Sequence, residues 1–196
     1  MSMPILQELE YDPVAMLDPV CLLSVHTVMI VAPADSEFNS MADIVAWSEA
    51  NPDTPVTASV STANGTVDLT VQAVRHYTGM NMSIVPHDGG GPAMTDLLSG
   101  AYMIGAGHPS EVKPYVESGQ MKILGVATEE RDPTFPDVPT LIEQDIDFSA
   151  YGSIKGVSVP EGTPAEIVDY YDDLFAQICA DEEFQETMLN MGQPVM

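Results

Sequence analysis

The sequence predicts an α/β protein whose sheet is mainly parallel and covered by helices on both faces. Three observations lead there. Between residues 27 and 128, short β-branched or apolar runs alternate with segments of helical spacing. Capping residues, prolines and glycines mark the changeovers. Most telling is the stretch Ser83-Ile-Val-Pro-His-Asp-Gly-Gly-Gly-Pro-Ala-Met-Thr-Asp-Leu-Leu-Ser-Gly100. It reads as a short buried strand, a glycine turn, and a helix beginning at or just after Pro92.

In chain order, residues 1–26 read as an extended lead-in. Thr27–Val31 is a strand ended by Pro33. Ser40 with Asp43 forms a capping-box pattern opening a helix to about Ala50, and Asn51-Pro52 stops it. A second strand covers Val56–Ser61, and the loop Ser61-Thr62-Ala63-Asn64-Gly65-Thr66 leads into a helix that Gly79 stops. In the central stretch, Ile84 and Val85 supply the strand and Pro86 ends its ladder, having no N–H to donate. Gly89, Gly90 and Gly91 are expected at positive φ, Pro92 in the first helical turn and Gly100 after the helix end. Then follow a strand at Tyr102–Ala106, a helix at Pro109–Glu117 stopped by Gly119, and a strand at Lys122–Thr128. The proline-rich run Arg131–Thr140 looks like a crossing segment. A strand at Ile154–Val159 precedes a capping box at Thr163-Pro-Ala-Glu166. The helix behind it carries Ile167, Tyr171, Leu174 and Ile178 on one face. A last helix, Glu182–Met191, stops at Gly192.

Charge sets further bounds. Thirty Asp and Glu face five Lys and Arg, a formal net charge of −25. The basic residues Arg75, Lys113, Lys122, Arg131 and Lys155 are too few and scattered for a nucleic-acid footprint. The acids are spread along the chain, which suits a solvated surface adapted to high salt. Cys21 and Cys179 lie in apolar surroundings and read as small buried hydrophobes, with a disulfide left open. No run is long enough to span a membrane, and Met1-Ser-Met-Pro lacks the regions of an export signal.

Two loops carry the chemistry: Ser61–Thr66, with hydroxyls and an amide, and His87-Asp88-Gly89-Gly90-Gly91-Pro92-Ala93, with bare backbone. Both follow parallel-type strands, where ligands bind in open α/β sheets. A strand–glycine–helix junction aims unpaired N–H groups at one point on the positive end of a helix dipole, which suits a small carboxylate. A tight βα turn without a ligand accounts for the same residues. Neither loop matches a phosphate-binding or dinucleotide motif. His87 is the histidine best placed to touch a ligand. His26, His76 and His108 fit structural roles, no metal-type spacing exists, and no strained nucleophile motif is present.

Val85-Pro-His-Asp-Gly-Gly-Gly-Pro-Ala-Met-Thr-Asp-Leu-Leu-Ser-Gly100 resembles the Val-Pro-Tyr-Lys-Gly-Gly-(Gly/Ala)-Pro-Ala-x-x-Asp-Leu-x-x-Gly stretch of the TctC/Bug family, the solute receptors of tripartite tricarboxylate transporters. Further matches fall in order: Tyr11-Asp-Pro, Ser61 to Thr66, Ser118-Gly-Gln-Met-Lys-Ile-Leu-Gly-Val-Ala-Thr128, Asp137-Val-Pro-Thr140 with Glu143, and Pro160-Glu-Gly-Thr-Pro164. Departures are His87-Asp88 for Tyr-Lys, Leu69 where histidine is common, and Gly107 where aspartate is common.

The resemblance implies a type II periplasmic-binding-protein-like α/β fold with a complete second lobe and an incomplete first lobe. The expected division is 1–30 as lead-in and interlobe crossing, 31–128 as the ligand-binding lobe, and 129–196 as crossing segment and C-terminal part of the first lobe. It also implies an extracytoplasmic, non-enzymatic receptor that captures a small organic carboxylate for the membrane components of a tripartite transporter, without metal or cofactor. The ligand contacts expected from it are Ser61–Thr66 and His87–Ala93. The incomplete lobe is expected to find a second copy or another polypeptide. Two alternatives remain at this point: an α/β enzyme using His87 as acid or base, and a stand-alone acidic interaction domain.

Overall fold

The helix at 41–50 opens on a capping box, and the parallel strands of the 27–128 region end at loops on one edge of a single sheet. This is seen in a computed structural model, which describes residues 12, 14–150 and 152–195. The lead-in before residue 12 lies outside the described residues, as do Tyr11 and Pro13 of the Tyr-Asp-Pro motif.

The elements are β1 (Leu17–His26), β2 (Met29–Pro33), α1 (Met41–Ala50), β3 (Val56–Val60), α2 (Thr66–Thr78), β4 (Met82–Pro86), α3 (Gly90–Leu98), β5 (Ile104–Gly107), α4 (Pro109–Glu117) and β6 (Met121–Val126). After a 3-10 turn at Ile142–Gln144 come β7 (Ser153–Pro160), α5 (Ala165–Cys179) and α6 (Glu182–Asn190). The chain divides into two compact units, one of 26–153 and one of 1–25 with 154–196.

The larger unit holds a five-stranded sheet in the order β4-β3-β5-β2-β6. β3 runs parallel to β4 and β5, whereas β2 runs antiparallel to both β5 and β6. The sheet is therefore parallel in four strands, with one reversed strand inside it. β2 is not preceded by a crossover helix in this unit, so nothing compels it to run with the others. Its side chains alternate. Ile30 and Ala32 join α1 and α2 in one core (Met41, Ile44, Val67, Val71, Val74), while Met29 and Val31 join α3 and α4 in the other (Ala93, Met94, Leu97, Val112). Both faces of the sheet are thus covered.

The capping box of α1 forms as expected. Ser40 Oγ accepts from Asp43 N at 3.2 Å, and Asp43 Oδ2 accepts from Asn39 N at 2.7 Å and Ser40 N at 3.0 Å. The bond from Asn39, then that from Ser40, holds the Asp43 carboxyl below its usual range. The expected glycine stops at 79, 119 and 192 all take positive φ. Two details differ. α3 starts at Gly90, two residues before Pro92, and of the three consecutive glycines only Gly89 has positive φ. The capping box at Thr163 does not form: Thr163 Oγ1 donates to Pro160 O at 2.6 Å, and Pro164 is the N-cap.

Segment 129–152 has little regular structure yet clusters with the larger unit, whose bounds thus fall at 26 and 153 where the sequence suggested 31 and 128. Its anchors explain this. Asp132 is buried and accepts from Thr27 Oγ1 at 2.6 Å and Thr134 N at 2.8 Å. Thr140 bridges Val126, and Leu141 and Ile146 enter the core. Arg131 Nε donates to both Glu143 carboxylate oxygens at 3.1 and 2.9 Å. That bond, followed by one from Thr140 N, pulls the Glu143 carboxyl below its usual range.

The smaller unit pairs β1 with β7 in a two-stranded sheet and adds α5 and α6. Neither helix buries a residue. Ile167 and Tyr171, on the expected apolar face, are exposed, and Leu174 and Ile178 are half-buried. Cys21 and Cys179 are free and half-buried, not the fully buried hydrophobes expected. Burial first, then the neighbouring Cys21, pushes the Cys179 thiol up.

Candidate functional site

The two loops singled out in the sequence leave adjacent strands. β3 and β4 pair in register up to Val60 and Pro86, so Ser61 and His87 emerge side by side, and His87 N donates to Val60 O at 2.9 Å. Both loops then enter helices whose N-termini lie on the carboxyl edge of the parallel strands.

In the first loop Thr62, Ala63 and Asn64 are exposed. Gly65 N closes a turn onto Thr62 O at 3.0 Å. Asn64 sits in the left-handed region at φ 60, and its N–H is taken by Asp68 Oδ2 at 2.7 Å. Asp68 is buried in the first turn of α2. Of the loop's hydroxyl residues Thr62 is exposed and Ser61 and Thr66 are half-buried, while two of the loop's amides serve the loop itself. The N–H groups of Thr66, Val67 and Asp68 open the helix with no protein acceptor among the described residues.

In the second loop Gly89 N donates to His87 O at 2.9 Å. Gly89 has φ 108 and ψ 173, a region open in practice to glycine alone. That kink turns the chain from strand into α3. It leaves the N–H groups of Asp88, Gly90 and Gly91 without protein acceptors among the described residues. Pro92 has none to leave. Asp88 is exposed.

The structure also brings in a group that the sequence did not single out. Glu111, in α4, accepts from His108 N at 2.8 Å through Oε2. A Cβ built on Gly90 would overlap the Glu111 carboxylate, and one on Gly107 would stand 3.1 Å from Oε2. An internal carboxylate thus fills the space that two glycines leave beside the start of α3. A Cβ on Gly91 would meet nothing within 4 Å, so that glycine borders open space. The signal for Glu111 was present as an acid three residues after a loop residue, but it was lost among thirty acids.

His87 does not present a free ring. Its Nε2 pairs with Asp96 Oδ2 at 3.0 Å, and its Nδ1 lies 3.2 Å from Val60 O and 3.4 Å from Ser59 Oγ. The row Ser59–His87–Asp96 looks like a hydrolase triad, but Ser59 is fully buried and donates to Ala93 O at 2.8 Å. A sealed hydroxyl already committed as a donor cannot attack a substrate. Among the described residues no cluster of His, Cys, Asp and Glu could hold a metal, and no helix is long and apolar enough to cross a membrane.

Comparison with known proteins identifies the fold around these loops. The profile of the TctC family, described as the tripartite tricarboxylate transporter family receptor, matches residues 1–196. The chain belongs to that family. A Cupriavidus necator relative, described as the UPF0065 protein in the gbd 5' region, is 31% identical over 186 residues, covering 95% of this chain and 56% of its own length. A TctC solute-binding protein from Polaromonas superposes with a TM-score of 0.80 at 27% identity, over 98% of this chain and 65% of that one. The R. palustris protein Rpa4515, solved with adipate, gives 0.78 at 22% identity, over 94% and 62%. This TctC-family chain thus spans little more than half the length of that curated relative and under two thirds of those structures. Its α/β fold of periplasmic-binding type agrees with the sequence-based expectation, as does the partial extent of one lobe.

Proposed function

We propose that the chain provides the carboxylate-binding lobe of an extracytoplasmic solute receptor serving a tripartite transporter. The observation that carries this is the set of unpaired N–H groups on two adjacent loops, at Asp88, Gly90 and Gly91 and at Thr66–Asp68, gathered at two helix N-termini. Family membership and the adipate in Rpa4515 favour the same chemistry.

Electrostatics say how such a site must work. A protein of net charge −25 repels an anion at long range, so attraction has to be local. None of the five basic residues lies in either loop. Amides aimed at one carboxylate supply the attraction, at roughly 1.5–3 kcal/mol per charge-assisted hydrogen bond. High ionic strength then lowers the long-range repulsion while leaving the short contacts nearly intact. The ligand is a small organic acid, held by backbone and hydroxyls with no cofactor. The contacts are Ser61, Thr62, Ala63, Asn64, Gly65 and Thr66 on one loop, and Asp88, Gly89, Gly90, Gly91 and Pro92 on the other, with His87 beneath them. Ala93, expected among them from the sequence, is fully buried in the core and its N–H goes to Gly89 O.

The test is calorimetry at molar KCl with adipate, malate and citrate as probes. A Cβ at Gly91 meets no protein atom within 4 Å, so Gly91→Val places its branched side chain at the helix mouth and is expected to abolish binding. Lys113→Ala, in α4 and part of neither loop, is expected to leave it unchanged. Binding that survives Gly91→Val but disappears when a lysine or arginine is removed overturns the amide cradle. No heat with any probe overturns the reading for this chain.

A further inference from the structure

His87 is the one loop side chain tied at both ends of its ring. Toward β3, Nδ1 faces Val60 O at 3.2 Å and Ser59 Oγ at 3.4 Å. The Ser59 proton is given to Ala93 O, so the hydroxyl offers Nδ1 only an acceptor. Toward α3, Nε2 faces the Asp96 carboxylate at 3.0 Å. The edge of the ring packs against Tyr102, with centroids 5.5 Å apart. A neutral imidazole carries one N–H and one lone pair, and either tautomer would turn a lone pair towards an oxygen here. Only the doubly protonated ring donates at both ends.

We propose that His87 is a proton-gated positioning residue: as imidazolium it bolts the glycine turn to β3 and to α3, and loss of one ring proton releases one bolt. The turn so held carries the N–H groups of Asp88, Gly90 and Gly91. The charged group facing the ring is Asp96 from α3. β3 offers the neutral Val60 carbonyl and Ser59 hydroxyl, the segment before β5 offers the Tyr102 ring, and Asp88, next in the chain, is exposed. The consequence for ligand capture rests on the receptor function proposed above; the bolt itself does not. Its sense is fixed: the carboxylate is held more tightly in acid and released as pH rises.

The test combines ring ¹⁵N NMR of His87 with calorimetry against adipate between about pH 5 and 8, the span in which histidines change charge. At the acid end both ring nitrogens are expected to carry protons. The amide resonances of Gly89, Gly90 and Gly91 move in step with loss of one of them, and adipate affinity falls about tenfold over the same range. His87→Gln, which donates without titrating, gives a flat profile. A ring that loses its proton while the three glycine amides stay put overturns the proposal, and so does a wild-type pH profile in His87→Gln. If adipate binds at no pH, the receptor function fails on its own and the NMR arm still decides the bolt.

Discussion

Replacing Gly90 with alanine isolates the contact between the start of α3 and Glu111. A Cβ there overlaps the Glu111 carboxylate, which is the far end of a flexible side chain and so gives way. What is lost is its bond to His108 N at 2.8 Å, the cap of α4. Loss of such a cap costs about 1 kcal/mol, within a range of roughly 0.5–2. Against this, alanine improves on glycine by at most ~1 kcal/mol in a helix, and by less at its first position. Gly90→Ala is therefore expected to destabilise the larger unit by about 0.5–1 kcal/mol. In a Glu111→Ala background the overlap is gone and only the helical gain remains, so the same substitution becomes neutral or stabilising. The cycle should show a coupling of about 1 kcal/mol. Gly91→Ala, with open space and no positive φ, serves as control and stabilises by a few tenths in either background. Urea unfolding by linear extrapolation reads all of these. An effect of Gly90→Ala with the same sign and size in both backgrounds would refute the reasoning.

Three further outcomes are expected. Multimolar KCl should raise the melting temperature, because screening relieves repulsion among the acids, of which only Asp68 and Asp132 are buried among the described residues; a flat or falling melt counts against this. Asp43 is held below its usual range, so its contribution is full above the ordinary carboxylate range and disappears as pH falls through its lowered native value; Asp43→Asn should flatten the acid limb of a stability–pH curve. The smaller unit should bind a hydrophobe-sensing dye or self-associate, since Ile154 is 60% and Tyr170 63% exposed and its helices bury nothing; a clean monomer that binds no dye by light scattering and fluorescence excludes it.

The alternation of strand and helix was legible because each changeover carries its own local chemistry. Ser40 with Asp43, Pro109, Gly79 and Gly119 all mark ends that the structure places within a residue or two. The reversal of β2 was not legible. A strand buried on both faces reads as a continuous apolar run whichever way it points, and direction is set by partners more than seventy residues away. Thr163-Pro-Ala-Glu166 misled for a different reason. Its hydroxyl has a closer acceptor in Pro160 O, and a local side-chain bond competes with capping. In the glycine turn, position in the chain was readable and conformation was not. Gly89 takes the kink alone, and Gly90 is there to make room for Glu111, a three-dimensional fact with no mark in a one-dimensional string.

The reversed strand also sets the order in which the larger unit can be built as it leaves the ribosome. β3 and β4 are joined by a single helix and can pair soon after both have emerged. β2 is made first, yet both of its neighbours, β5 and β6, come last. At roughly 5–20 residues per second its Met29-Ile-Val-Ala run waits several seconds for them. During that interval it is an apolar strand with two open edges, the kind of segment that chaperones hold and that aggregates when they do not. Closing the sheet also demands contacts distant in sequence, which slows folding. Yield on expression should thus depend on elongation rate and chaperone supply more than on final stability.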